Sequence, residues 1–182
     1  MKAQSRMRIV QHKGLLLFGC ACLLTLIALH DRYRLVFVQG VSMQPTLMTG
    51  DLLIVSKHAY HYLPPGRGDL VVARYQNGLI VKRVVGLPGE EVEIKEGMLF
   101  VGDRPVSESH PMKTGPVNIT KGRLLEGKFA ILGDNRALPP GRIVHAIVTK
   151  DQMLGRVVFV IHPWGHTCRP GEDESPSLNA KL

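Results

Sequence analysis

Two side chains have the type and setting that nucleophilic chemistry asks for: a serine on a turn and a lysine in an apolar run. Ser42 lies in "VQGVSMQPTLMTGD" (38–51), ahead of a Pro-Thr pair, and the run "DLLIVSK" follows directly. A serine hydroxyl is a weak nucleophile until a base takes its proton during attack. A histidine backed by an acid is one source, for example His145 with Asp134, but nothing in the spacing brings these two together. The elbow G-x-S-x-G is absent, which excludes the α/β-hydrolase arrangement. A neutral lysine is the other source. Lys82 stands in "LIVKRVVG" among Ile80, Val81, Val84 and Val85. Side chains alternate along a strand, so Ile80 and Val84 share its face while Arg83 points away and is expected to stay solvated.

The magnitude sets the condition for such a base. At a reference pKa of about 10.4, fewer than roughly one lysine in a thousand is neutral at pH 7. Burial lowers a lysine by roughly 3–5 units, at a cost on the order of 4–7 kcal/mol. Pattern alone leaves two readings open: a dry general base, or a lysine whose stem covers apolar surface while its amine reaches water.

Two further stretches bear on the choice. "KRVVGLPGE" (82–90) leaves its strand through a Gly-Leu-Pro-Gly turn, and "ILGDNR" (131–136) ends another strand in a Gly-Asp-Asn corner. With "SMQPTL" and a closing "MLGRVV", in this order, the chain resembles the bacterial type I signal peptidases, membrane-bound Ser/Lys endopeptidases. The likeness runs from about 38 to 160, broken by a middle loop. It implies Ser42 as nucleophile, Lys82 as general base and the Ser42 backbone N–H as an oxyanion donor. In many relatives a serine two residues before the nucleophile supplies a second donor; here that position is Gly40. Pro45, Asp134, Asn135 and Arg142 are expected to shape the site. The family normally continues G-D-N with a short run of serine and aspartate that ends in arginine. This chain reads "GDNRALPPGR", so the serine and the aspartate are replaced by prolines and a glycine. The resemblance further implies secretory preproteins as extended substrates, small residues before the cut, and no metal or organic cofactor. Met43, Ile54 and Val81 are candidates for lining shallow pockets.

The elements that must position these residues are strands. "RLVFVQG", "DLLIVSK", "DLVVARY" (69–75) and "GLIVKRVVG" (78–86) are apolar, β-branched runs separated by Pro, Gly and Asn breaks. "EEVEIKEGMLFVGDRPV" (90–106) reads as a hairpin turning at Glu96-Gly97. "IVHAIV", "KFAILGD" and "GRVVFVIHP" add late strands, while "HPMKTGPVNITKG" (110–122) lacks a period and is expected to be a surface loop. The fold class that follows is mainly β: a signal-peptidase-like antiparallel β-sheet catalytic domain with one N-terminal transmembrane helix. The divisions expected are a basic cytoplasmic segment (1–13), an anchor (14–30), the catalytic domain (31–165) and a disordered tail (166–182).

Composition agrees with this class and excludes others. The chain has 182 residues, 5% aromatics and a formal charge of +8. No basic run interleaves with aromatics and no zinc-finger spacing occurs, which argues against nucleic acid. Cys20, Cys22 and Cys168 form no disulfide framework and read as packing residues, and "HAYH" and "HPWGH" lack companion ligands for a metal. Lys2, Arg6, Arg8 and Lys13 precede the uncharged run 14–30, which at about 1.5 Å per residue spans roughly 25 Å. No small-residue cleavage site closes it, so it is expected to remain as a single span in the bacterial plasma membrane. The basic flank puts the N-terminus in the cytoplasm and the domain outside, next to membrane lipid. Three rivals stand beside this reading. Two are Ser/Lys proteases, a conjugation-type maturation enzyme and a self-cleaving repressor. The third is a catalytically impaired, membrane-tethered β-domain that binds exported segments.

Overall fold

The computed structural model describes residues 18–139 and 145–163. Arg142, Cys168, the basic segment 1–13 and the tail 166–182 lie outside the described residues. A helix covers 18–32 and is exposed along its length, Cys20 and Cys22 included, so these two are not packed in a core. Among the described residues no helix is long and apolar enough to cross a membrane. The first four residues of the expected span fall outside the described part.

Eleven strands follow the helix among the described residues. They are β1 (Tyr33–Phe37), β2 (Leu52–Ser56), β3 (Leu70–Tyr75), β4 (Gly78–Gly86), β5 (Glu91–Lys95) and β6 (Met98–Val101). β7 (Arg104–Pro105), β8 (Ile119–Arg123), β9 (Lys128–Leu132), β10 (His145–Thr149) and β11 (Met153–Ile161) complete the set. All pair antiparallel: one sheet has the order β1-β2-β11-β3-β4-β9-β10 and the other β7-β6-β5-β8. The β5–β6 hairpin turns on Glu96 and Gly97, both left-handed, as a two-residue turn with matching twist requires.

The central strands are continuous apolar runs because both of their faces are covered. Val71 joins Val84, Phe129 and Ile131 in one cluster, while its neighbour Val72 joins Met43, Leu47, Leu53 and Val55 in another. A third cluster under the small sheet holds Val85, Ile94, Leu99 and Leu132. Nearer the helix the sheet is covered on one side only. Leu35, Ile54 and Phe159 lie in one cross-strand row, and Phe37, Leu52 and Ile161 in the next. Leu35, Phe37, Phe159 and Ile161 are exposed, which makes a contiguous apolar face beside the helix. The helix end is tied to this region, since Lys57 donates from its backbone to the Arg32 carbonyl and from Nζ to the His30 carbonyl.

The middle stretch differs from the expected surface loop. Its end is the strand β8, and Val117 is buried in the third cluster. Its first half is a strap whose backbone pairs with another segment's, with Lys113 bridging Asn135. Neither half has an alternating pattern, because the strap is irregular and four of the five β8 residues are exposed.

Candidate active site

Ser42 and Lys82 are brought into contact by two elements that start far apart in the chain. Ser42 sits on the turn between β1 and β2, half-buried, next to a cis Gln44–Pro45 bond. The turn is seated by apolar anchors, since Met43 and Leu47 are buried. It is closed by backbone bonds from Val38 to Asp51 and from Gly50 to Val38. Buried Asp51 accepts the Met48 N–H at 2.7 Å. Lys82 is only 3% exposed on β4, with Val71 opposite it on β3. Its Nζ lies 2.6 Å from the Ser42 Oγ and 3.0 Å from the Val81 carbonyl oxygen. Burial pushes its pKa down to about 8, against an opposing pull from the Asp134 carboxylate. At that value roughly one lysine in ten is neutral at pH 7. The neutral amine offers a lone pair to the serine hydroxyl, an arrangement able to take a proton during nucleophilic attack.

Arg83 departs from the solvated position expected of it. It is 7% exposed, and its Nε and one Nη donate to the two oxygens of Asp134 at 2.9 and 2.6 Å. The other Nη donates to the Gly68 carbonyl. Alternation did turn it to the face opposite Lys82, but that face is also covered, so the guanidinium found a buried carboxylate rather than water. Asp134 also accepts the Thr46 hydroxyl at 2.6 Å, which joins the serine turn to β4.

The corner 133–136 clasps the serine backbone from the other side. The Asn135 N–H donates to the Ser42 carbonyl at 3.1 Å, and its side-chain amide donates to the Val41 carbonyl at 3.0 Å. Gly133 runs so close to the Ser42 carbonyl oxygen that a Cβ there would overlap it. Gly40 has a φ of +91° with open space where a Cβ would sit. Its backbone rather than its surroundings disfavours a side chain. The pocket candidates divide: Met43 is fully buried in the core, while Ile54 and Val81 are partly exposed. His145 lies in β10 opposite Leu132, while Asp134 is engaged by Arg83 and Thr46, with His110 nearby.

Sequence reasoning missed Thr46, Arg136, Glu108 and His110. Thr46 and Arg136 stand inside quoted motifs, so their positions were visible though their partners were not. Glu108 and His110 carry no signal, being polar residues in an aperiodic stretch.

Comparison with known proteins follows the same segments. The family model described as signal peptidase, peptidase S26, matches residues 11–164. A probable signal peptidase I-1 of Synechocystis sp. is 30% identical over 142 residues, covering 71% of this chain and 72% of that protein. Signal peptidase I T of Bacillus subtilis is 31% identical over 162 residues, covering 79% and 81%. Signal peptidase I of Leptolyngbya laminosa is 31% identical over 137 residues, covering 70% and 68%.

Proposed function

The chain belongs to the signal peptidase family, and on that premise we propose that it removes N-terminal signal peptides from exported preproteins, with Ser42 as nucleophile and Lys82 as general base. The observation that carries this reading is the 2.6 Å approach of the Lys82 Nζ to the Ser42 Oγ at a site where the lysine is 3% exposed. The Ser42 Oγ attacks the scissile carbonyl as Lys82 takes its proton, and the Ser42 N–H stabilises the oxyanion. The protonated amine then gives its proton to the leaving amine. In the second half Lys82 activates a water that releases the acyl-enzyme. Every proton passes through one nitrogen, so no metal is needed.

The substrate lies extended. β9 pairs with β4 only from Arg83 onward, so on that side the backbone of 78–81, just before Lys82, is open to an added strand. Shallow surroundings at Ile54 and Val81 suit small side chains before the cut. The uncharged run 14–30 anchors the chain, and the apolar rows of β1, β2 and β11 suit a position at the lipid surface. The catalytic domain then works on the outer side of the plasma membrane.

The test is cleavage of a preprotein by the purified chain in detergent, beside Ser42→Ala and Lys82→Met. The expected result is a cut after a small residue by the wild type and none by either variant. Wild type that binds the preprotein without cutting it, or Ser42→Ala that still cuts, overturns the assignment.

A further inference from the structure

Arg136 is the largest fully buried side chain among the described residues, at 0% exposure. A guanidinium so far from water needs an anion, and the corner's own carboxylate, Asp134, is already engaged by Arg83 through both oxygens. The anion comes from Glu108, at the start of the strap that runs from β7 to β8. Glu108 accepts from two Arg136 nitrogens at 2.7 Å each, and Arg136 also donates to the Gly97 carbonyl. The strap is pinned to the corner by backbone bonds from Lys113 to Asp134 at 3.1 Å and from Arg136 to Lys113 at 2.8 Å. The Pro111 carbonyl oxygen lies 3.1 Å from the Thr46 hydroxyl and shares with Asp134 its single proton, which sets the strap against the serine turn as well.

Two arginine–carboxylate pairs thus stand side by side, Arg83 with Asp134 and Arg136 with Glu108. His110 lies between them, its Nε2 3.5 Å from an Asp134 oxygen and 3.7 Å from a Glu108 oxygen. That nitrogen is buried without a hydrogen-bond partner. Burial and the nearby Arg83 hold the His110 pKa below its ordinary value, so the ring is neutral at and above pH 7. The charged groups facing the cluster are Arg83 from β4, Asp134 and Arg136 from the corner, and Glu108 from the strap.

We propose that Glu108 is a positioning residue for the Ser42–Lys82 pair: by engaging Arg136 it keeps that guanidinium off Asp134 and leaves Asp134 to Arg83 alone. Asp134 is the next carboxylate Arg136 would meet, since Asp134 and Glu108 oxygens both lie within 3.7 Å of one nitrogen, His110 Nε2. Asp134 also holds Thr46 on the serine turn, and its charge acts on Lys82. A second guanidinium on Asp134 pulls it from that turn and weakens its field at the amine.

The inference rests on the proposed Ser/Lys chemistry, so its test has a readout independent of turnover. The full-length chain is labelled with ¹³C at the lysine ε-carbons, the Lys82 signal is assigned by its loss in Lys82→Met, and its titration is followed in wild type, Glu108→Gln and Glu108→Gln/Arg136→Met. In Glu108→Gln the Lys82 midpoint is expected to fall by at least about half a pH unit. In the double variant no guanidinium remains to invade Asp134, and the midpoint returns to the wild-type value. If Glu108→Gln alone does not fold, Glu108→Asp, which keeps the charge but falls a methylene short, takes its place with the same expected direction. A midpoint unmoved in the single variant, or moved and not restored in the double, overturns the proposal. Preprotein cleavage by the same samples separates the two claims. An inert wild type with a movable Lys82 defeats the peptidase assignment only, and an active wild type with an immovable Lys82 defeats only the role of Glu108.

Discussion

Replacing Lys82 by methionine should make the protein more stable at neutral pH while abolishing the proposed chemistry. Burial holds Lys82 at about 8, well below the 10.5 of a free lysine. A displacement of that size corresponds to about 3–4 kcal/mol at about 1.4 kcal/mol per pH unit. An unfolded chain binds the lysine proton below 10.5 and the folded chain only below about 8. Between those values the unfolded state carries more protons, so stability rises with pH. Below about 8 both states are charged and the full penalty applies. Methionine removes it, at the loss of the two bonds from Nζ to Ser42 and Val81, which contribute about 1–2 kcal/mol together. The expected net gain at pH 7 is about 2 kcal/mol, or roughly 4–8 °C in Tm for a domain of this size. Near pH 10.5 the penalty has gone and the variant should lose its advantage. Urea unfolding of both proteins at pH 7 and pH 10 measures the difference, with other titrating groups cancelling between them. An identical stability difference at the two pH values would falsify the premise that burial has moved Lys82.

The same depressed amine predicts that kcat/KM for preprotein cleavage rises about tenfold per pH unit up to about 8 and then levels, because only neutral Lys82 accepts the serine proton. A profile flat between about pH 6 and 9 would show that another group serves as base. Gly133→Ala should drive a methyl into the Ser42 carbonyl and cost at least about a hundredfold in kcat/KM. Gly122→Ala on β8, whose new atom meets nothing closer than the Thr120 carbonyl oxygen at 3.9 Å, should leave cleavage unchanged, and equal loss in both variants would refute the close-approach argument. Asp134→Asn strands Arg83 without its anion at 7% exposure and should lower stability by about 3–5 kcal/mol in a denaturant titration. A loss below about 1 kcal/mol would mean that Arg83 escapes to water.

The parts of the fold that were legible in the sequence are those whose partners do not matter to their pattern. β4 reads as a strand because Leu79, Ile80, Val81, Val84 and Val85 are apolar on both faces, and the hairpin at Glu96-Gly97 reads because only a few residue pairs tolerate two left-handed positions. Ser42 and Lys82 were each recognisable by local setting. Their contact was not, since it is made by Met43 and Leu47 docking the serine turn onto the sheet that holds β4. Arg83 was misjudged for the complementary reason. Alternation fixes which way a side chain points, but whether that face meets water depends on Asp134, fifty-one positions later. The strap was least legible, because its bonds run to the backbone of another segment and leave no period in its own residues.

The adjacent Lys82 and Arg83 are one device seen from two faces of β4. An uncompensated carboxylate near a buried lysine would favour its charged form, and Asp134 does pull Lys82 in that direction. Yet burial remains the larger effect, and the amine ends well below its ordinary range. Arg83 sets a positive charge against both Asp134 oxygens through its bidentate pairing, which opposes the carboxylate's field. The corner can therefore use Asp134 to hold Thr46 and the serine turn without returning the neighbouring lysine to its ordinary range. A lysine at position 83 could neutralise the charge but could not occupy both oxygens with a planar fork. Arg83→Lys should then leave the chain folded while raising the pH at which Lys82 loses its proton.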